Sequence, residues 1–203
     1  MSISTLSKRS FLTLLTAYFA SSALFSVLEL LLVVGWIPSF DITIVNDIQR
    51  SLTSYVLSAM SIVLTLFILG YMISRKEYGL KVKCKVGLVL MMLNAFNGIL
   101  IDVIYLTYTI NNSIHALLST GFLVLYIVGL FMFINSSPVE FKLRRFVKWT
   151  PFIPMLVSMI LSVASVVSDK PLLGMPHSNL IYTSISVAIF LVIYKMARRE
   201  MDI

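Results

Sequence analysis

Charge is the first thing this sequence has little of. Of 203 residues only 12% are Asp, Glu, Lys or Arg, while 59% are apolar. A typical soluble domain carries about 25% charged residues, roughly twice as much. The shortage excludes an ordinary water-soluble globule, and the apolar excess excludes a disordered tail. Cysteine is almost absent: Cys84 stands alone, so no intrachain disulfide can form. Only two histidines occur, His115 and His177. That is the minimum for a bis-histidine haem, and no mid-span pair exists to bury one. No Walker loop, HExxH, GxSxG or dinucleotide-binding fingerprint is present, so the chain carries no signature of nucleotide-driven or cofactor-bearing chemistry. No cofactor, metal ligand set or catalytic group is therefore assigned from sequence.

What the chain does contain is long apolar runs. Stretches of about 18 or more mostly apolar residues are long enough to cross a hydrocarbon core of about 30 Å. Six occur, at about 11–34, 52–73, 86–108, 115–134, 150–167 and 179–196. None alternates with the period of two that a transmembrane barrel strand requires. The expected fold is all-α, a single six-helix transmembrane bundle filling residues 1–203 with short loops and no soluble domain.

The basic residues set its expected orientation. Of 16 Lys and Arg, all but Arg50 and Lys170 fall on one side of this layout: Lys8, Arg9, Arg75, Lys76, Lys81, Lys83, Lys85, Lys142, Arg144, Arg145, Lys148, Lys195, Arg198 and Arg199. Loops rich in Lys and Arg stay in the cytoplasm, which predicts cytoplasmic termini and a multi-pass cell-membrane protein. The net charge of +7 is then explained by helix flanks that meet anionic headgroups. Basic residues do not interleave with aromatics outside the spans, so no nucleic-acid partner is expected. Trp36 and Trp149 fall at span ends, where interfacial anchors belong. Lys8-Arg9 followed by an apolar run loosely resembles a signal peptide. The run continues past Ser21-Ser22-Ala23, however, and the expectation is an uncleaved first span. Cys84, within Lys81-Val82-Lys83-Cys84-Lys85, is expected to be an inert loop thiol; the alternative is that neighbouring lysines lower its pKa and favour acylation at the membrane surface. Asn111-Asn112-Ser113 matches a glycosylation acceptor in a turn too short to be modified readily.

Several spans carry polar stripes. Tyr18, Ser22, Ser26 and Glu29 align in the first, Ser54, Ser58, Ser61 and Thr65 in the second, and Ser158, Ser162, Ser165 and Asp169 in the fifth. Spacings of three and four place each set on one helix face. The third span gathers Asn94, Asn97, Gly98, Asp102 and Tyr105; the fourth offers His115, Ser119, Tyr126 and Gly129. Two readings compete. Small and hydroxyl-bearing residues let helices approach and bond across the contact, or the same faces line a polar cavity. Carboxylates inside a span favour the second reading, because each costs about 2.5–3.5 kcal/mol to insert. Helix direction puts Glu29, Asp102, His115, Asp169 and His177 toward the outer face. With Asn94 and Asn97 they are the candidate lining of an outward-facing polar cavity.

Residues 97–134 read Asn97-Gly98-Ile99-Leu100-Ile101-Asp102, a polar turn, then His115-Ala116-Leu117-Leu118-Ser119 leading to Gly121 and Gly129. This stretch resembles the third-to-fourth helix hairpin of domain-of-unknown-function family 998. That family is a six-span group without a settled activity, so the resemblance implies architecture alone. Gly174-Met175-Pro176-His177 departs from it, lacking a charged pair expected there. Three functions are compatible with these residues. The first is a component that binds or transports a small solute or cation through an outward-facing cavity. The second is a non-enzymatic accessory subunit packed against partner membrane chains or copies of itself. The third is an outward-facing intramembrane hydrolase using Asp102 with His115 or His177.

Overall fold

A computed structural model describes residues 5–44, 48–97, 100, 112–137, 156, 160 and 175–201. Within them the chain is helical apart from one short hairpin. The order is α1 (Thr5–Val33), β1 (Asp41–Ile44), β2 (Ile48–Ser51), α2 (Leu52–Ser74), a 3-10 turn (Lys76–Tyr78), α3 (Val82–Ala95), α4 (Asn112–Ser136) and α5 (Met175–Met201). Of the fifth predicted span only Leu156 and Ile160 lie inside the described residues.

The helices outrun the apolar stretches on their basic flanks. α1 begins at Thr5 and takes in Lys8 and Arg9; α3 begins at Val82 and takes in Lys83 and Lys85; α5 continues through Lys195, Arg198 and Arg199. Hydrophobicity marks where the chain leaves oil, whereas the backbone keeps its internal hydrogen bonds for as long as the residues favour helix. The other end of α1 has a sequence-encoded stop. Gly35 adopts φ +79°, Gly35 N–H donates to Leu32 O at 3.1 Å and Trp36 N–H donates to Leu31 O at 2.9 Å. This is a Schellman cap, with Pro38 preventing any restart. Trp36, just beyond it, is 81% exposed.

The hairpin is antiparallel, pairing Asp41 with Ser51 and Ile44 with Ile48. Leu52 N–H donates to Phe40 O at 2.7 Å and closes its base on the start of α2. The all-α expectation did not include it. Its residues nonetheless alternate in the required way, with Ile42, Ile44 and Ile48 two or four apart around Asn46-Asp47.

α1 and α5 pack antiparallel along their length. Lys8 Nζ pairs with Glu200 Oε2 at 2.6 Å near one end; farther along, Ser26 Oγ donates to Ser186 Oγ at 3.1 Å. The start of the first helix and the finish of the last therefore share one end of the bundle. Ser10 Oγ and Tyr78 Oη are 2.9 Å apart, which brings the turn after α2 to that end. Phe11 stacks on Phe133 at 6.2 Å between ring centroids, which brings the finish of α4 there as well. Lys8, Arg9, Arg75, Lys76, Lys81, Lys83, Lys85, Lys195, Arg198 and Arg199 thus gather at one end, here termed the basic end.

The tightest approach is between α3 and α4. A Cβ built on Gly87 would stand 2.6 Å from Gly129 O, and one on Gly129 would stand 2.6 Å from Gly87 O. Two helices crossing with backbone against backbone is the geometry that small residues allow inside a membrane. Among the described residues the buried core is densest toward the basic end, where Phe11, Leu15, Phe19, Leu69, Met72, Leu88, Met91, Leu130, Phe133 and Ile193 meet.

The outer surface is inverted relative to a soluble protein. Val56, Met60, Val63 and Phe67 of α2 form one exposed face, with Phe67 69% and Val63 67% accessible. Val86, Val89 and Leu93 of α3 and Val124, Val128 and Phe131 of α4 are exposed too. Soluble monomers keep apolar patches to a few hundred Å², whereas a bilayer is solvated by such faces. Two helices, α1 over Leu6–Val33 and α2, are long and apolar enough to cross a membrane.

Candidate polar site at the far end of the bundle

The predicted polar residues divide according to what their helices do with them. On α1, Tyr18 is buried and shares a side-chain hydrogen bond with Tyr126 of α4. Ser26 Oγ bonds Ser186, and Thr183 Oγ1 donates to Ser26 O at 2.9 Å. This part of the first stripe joins α1 to α5, each such bond contributing about 0.6–1.7 kcal/mol. On α2, Ser58 and Ser61 are half-buried and Thr65 is buried on the same side as Ile62, Leu69 and Met72, so that stripe faces inward.

Away from these bonds the satisfied pattern stops. Glu29 lies 21 residues past Lys8, about 32 Å along the helix at 1.5 Å per residue. It is half-buried and forms no hydrogen bond with another described residue. Asn94 is half-buried near the finish of α3. Three residues on, Asn97 has a buried side-chain oxygen, Oδ1, with no partner. Thr120 Oγ1 on α4 is also buried and unpartnered. A buried polar atom left without a hydrogen bond costs about 1–3 kcal/mol, so each such atom requires an explanation.

Gly87 and Gly129 fix the alignment of the antiparallel α3 and α4. Ten residues from that crossing in each chain direction lead to Asn97 and Ser119, so Asn97 and Thr120 lie at nearly equal depth. His115 stands in the first turn of α4, and His177 in the first turn of α5. Both helix starts lie at the far end, opposite the cations. The backbone thus carries Glu29, Asn94, Asn97, His115 and His177 away from the basic end; Asp102 and Asp169 fall outside the described residues. Thr120 was missed by sequence reasoning because the stripe in that span runs through its neighbour Ser119, and burial of a lone threonine leaves no sequence signal.

Cys84 corrects a sequence expectation. It lies in the first turn of α3 rather than in a loop, and it is fully buried. Burial, not the adjacent lysines, sets its chemistry: desolvation of the thiolate pushes the thiol up to about 12. Lys83 and Lys85 stand about 100° to either side of it, and Lys81 precedes the helix as its extended N-cap, with Lys81 and Lys83 exposed. Among the described residues no group of three His, Cys, Asp or Glu side chains is placed to hold a metal ion. The unpartnered groups are instead oxygen acceptors and a carboxylate, suited to binding a cation or a hydrogen-bond donor.

No family model matches the chain, and neither a curated protein nor a solved structure matches it.

Proposed function

We propose that this chain is a six-span membrane protein with cytoplasmic termini, and that the end opposite its cations receives a small solute or cation. The observation that carries the proposal is the contrast between two seams of the bundle. Ser26 and Thr183 are bonded across α1 and α5, while Asn97 Oδ1 and Thr120 Oγ1, at about the same distance from the basic end, are buried without partners. Open hydrogen-bonding capacity is tolerated where a ligand or water supplies the missing bond. The basic end gives the orientation under the positive-inside rule, which turns these groups outward. The likeness of residues 97–134 to the six-span family belongs to the same proposal and brings no activity with it.

The test is native mass spectrometry of the gently extracted protein. A retained small ligand on a chain without partners, lost on Glu29→Gln or Asn97→Leu while expression and thermal stability persist, is the expected result. Retention unaffected by both substitutions would overturn the reading. The alternative, an accessory subunit in a larger complex, has its own support. α2 presents an unbroken exposed apolar face through Val56, Met60, Val63 and Phe67, which a partner helix could cover as well as lipid. Stoichiometric partner chains in the same spectrum would favour it.

A further inference from the structure

The outer face of α3 carries an apolar stripe that starts among cations. Val82, Val86, Val89 and Leu93 are all exposed, and Val82 is 77% accessible although it lies between Lys81 and Lys83. Counted from Val82 at about 100° per residue, Val86, Val89 and Leu93 fall at about 40°, −20° and 20°, an arc of about 60°. Lys83 falls at about 100° on one side of Val82 and Lys85 at about 60° on the other. Lys81 precedes the stripe as the extended N-cap of α3. The stripe is therefore flanked by lysines on both sides at its basic-end tip and by none farther along. From Val82 to Leu93 it rises about 16 Å, which matches one leaflet, about half of the 30 Å hydrocarbon core.

The charges at this tip are not neutralised by the protein. Among the described residues Lys81 and Lys83 are exposed and have no acidic partner. Nearby Arg75 is engaged, its guanidinium 4.7 Å over the Tyr71 ring and 3.8 Å from Glu77. The cations at the finish of α5 have Glu200 among them, bonded to Lys8. From the union of an apolar stripe one leaflet long with unneutralised lysines at its tip, we propose that the outer face of α3 is a site for one anionic phospholipid. An acyl chain lies along Val82, Val86, Val89 and Leu93, and the headgroup phosphate meets Lys81, Lys83 and Lys85. A lysine ammonium is a point charge on a flexible stem, able to follow a phosphate at the depth of the interface. A zwitterionic lipid or an apolar partner helix would fill the stripe but bring no net negative charge to the tip, so the charge selects the anionic lipid. The inference is independent of what the far end receives.

The full-length protein in detergent is titrated with phosphatidylglycerol and, separately, with phosphatidylcholine of the same acyl chains, and bound lipid is counted by native mass spectrometry. One phosphatidylglycerol is expected to bind, about tenfold or more tighter than phosphatidylcholine, since each lysine near an anionic headgroup contributes about fivefold. Equal affinity for the two lipids overturns the site, and this comparison needs no variant. Lys81→Gln with Lys83→Gln should weaken phosphatidylglycerol by about 25-fold and leave phosphatidylcholine nearly unchanged. Lys195→Gln with Arg199→Gln removes the same charge from α5 at the same end and should have little effect; an equal loss there means attraction by net charge alone and overturns the site. Val86→Ser with Val89→Ser should weaken both lipids alike, and binding unchanged by it removes the stripe from the proposal. Glycerol 3-phosphate offers the phosphate without acyl chains and should not displace the lipid even in large excess; displacement would make this an anion site and overturn the lipid assignment.

Discussion

The approach of α3 and α4 at Gly87 and Gly129 makes a quantitative prediction. A methyl group at residue 129 would stand 2.6 Å from Gly87 O, 2.8 Å from Leu90 Cβ and 3.1 Å from Met91 N. Two of these atoms are backbone and cannot rotate aside, so relief requires the helices to separate by about 0.8 Å to restore ordinary contact. Overpacking of this kind costs about 1–3 kcal/mol. Replacing glycine by alanine inside a helix returns about 1 kcal/mol of propensity. Gly129→Ala should therefore cost up to about 2 kcal/mol net, and Gly129→Leu more. Gly87→Ala meets Gly129 O and Phe133 N at 2.6 and 2.8 Å and should behave alike. Since either methyl forces the same separation, the double variant should cost less than the two single costs combined. Gly70 and Gly121 are internal controls: a Cβ at either meets nothing within 4 Å. Alanine there should be neutral or stabilising by up to about 1 kcal/mol. The assay is reversible unfolding in mixed micelles, comparing the four alanine variants. If Gly129→Ala proves as harmless as Gly121→Ala, the backbone contact is not present and the pairing of α3 with α4 must be redrawn.

Other consequences are open to measurement. Lys8→Ala strands the mostly buried Glu200 carboxylate and should cost about 1–3 kcal/mol by the same unfolding assay, with Glu200→Gln in the Lys8→Ala background recovering part of it. Ser26→Ala combined with Thr183→Val removes the hydroxyl bonds between α1 and α5 and should cost about 1–3 kcal/mol, from about 0.6–1.7 for each bond. Cys84, raised from about 9 to about 12, should hold about a thousandfold less thiolate in the folded protein than in the unfolded chain at pH 8. Alkylation should accordingly be slow until the protein is denatured. The sign of the linkage follows: in the window from about 9 to about 12 the unfolded chain loses the proton that the folded one keeps. Stability should therefore fall as pH rises through that window and be unaffected by this group below it. Because Cys84 is hidden, orientation is read from Lys76→Cys in a Cys84→Ala background. An impermeant maleimide should label it in inside-out vesicles, and labelling in intact cells would reverse the topology.

Much of this arrangement was legible in the sequence because membrane insertion is governed by coarse physics. Burying a charge in hydrocarbon is expensive enough that the described cations must collect where water is, and the helices bring ten of the eleven, all but Arg50, to one end. The α1 stop was equally readable, since Gly35 and Pro38 each impose a local backbone constraint. The stripe through Ser26 correctly marked a face against another helix, but no spacing rule says which helix. Its partners, Ser186 and Thr183, lie about 160 residues away. Gly87 was passed over for a related reason. A glycine among Val86, Leu88 and Val89 has the same local signal whether it faces lipid or another backbone, and only Gly129 O at the crossing tells them apart. Cys84 shows the limit from the other side. Three lysines within three residues suggested a loop thiol at the membrane surface, yet in a helix residues one apart are separated by about 100°. Lys83 and Lys85 therefore occupy other faces than the cysteine, which enters the core beside Leu88 and Met91, while Lys83 and the N-cap Lys81 stay in solvent.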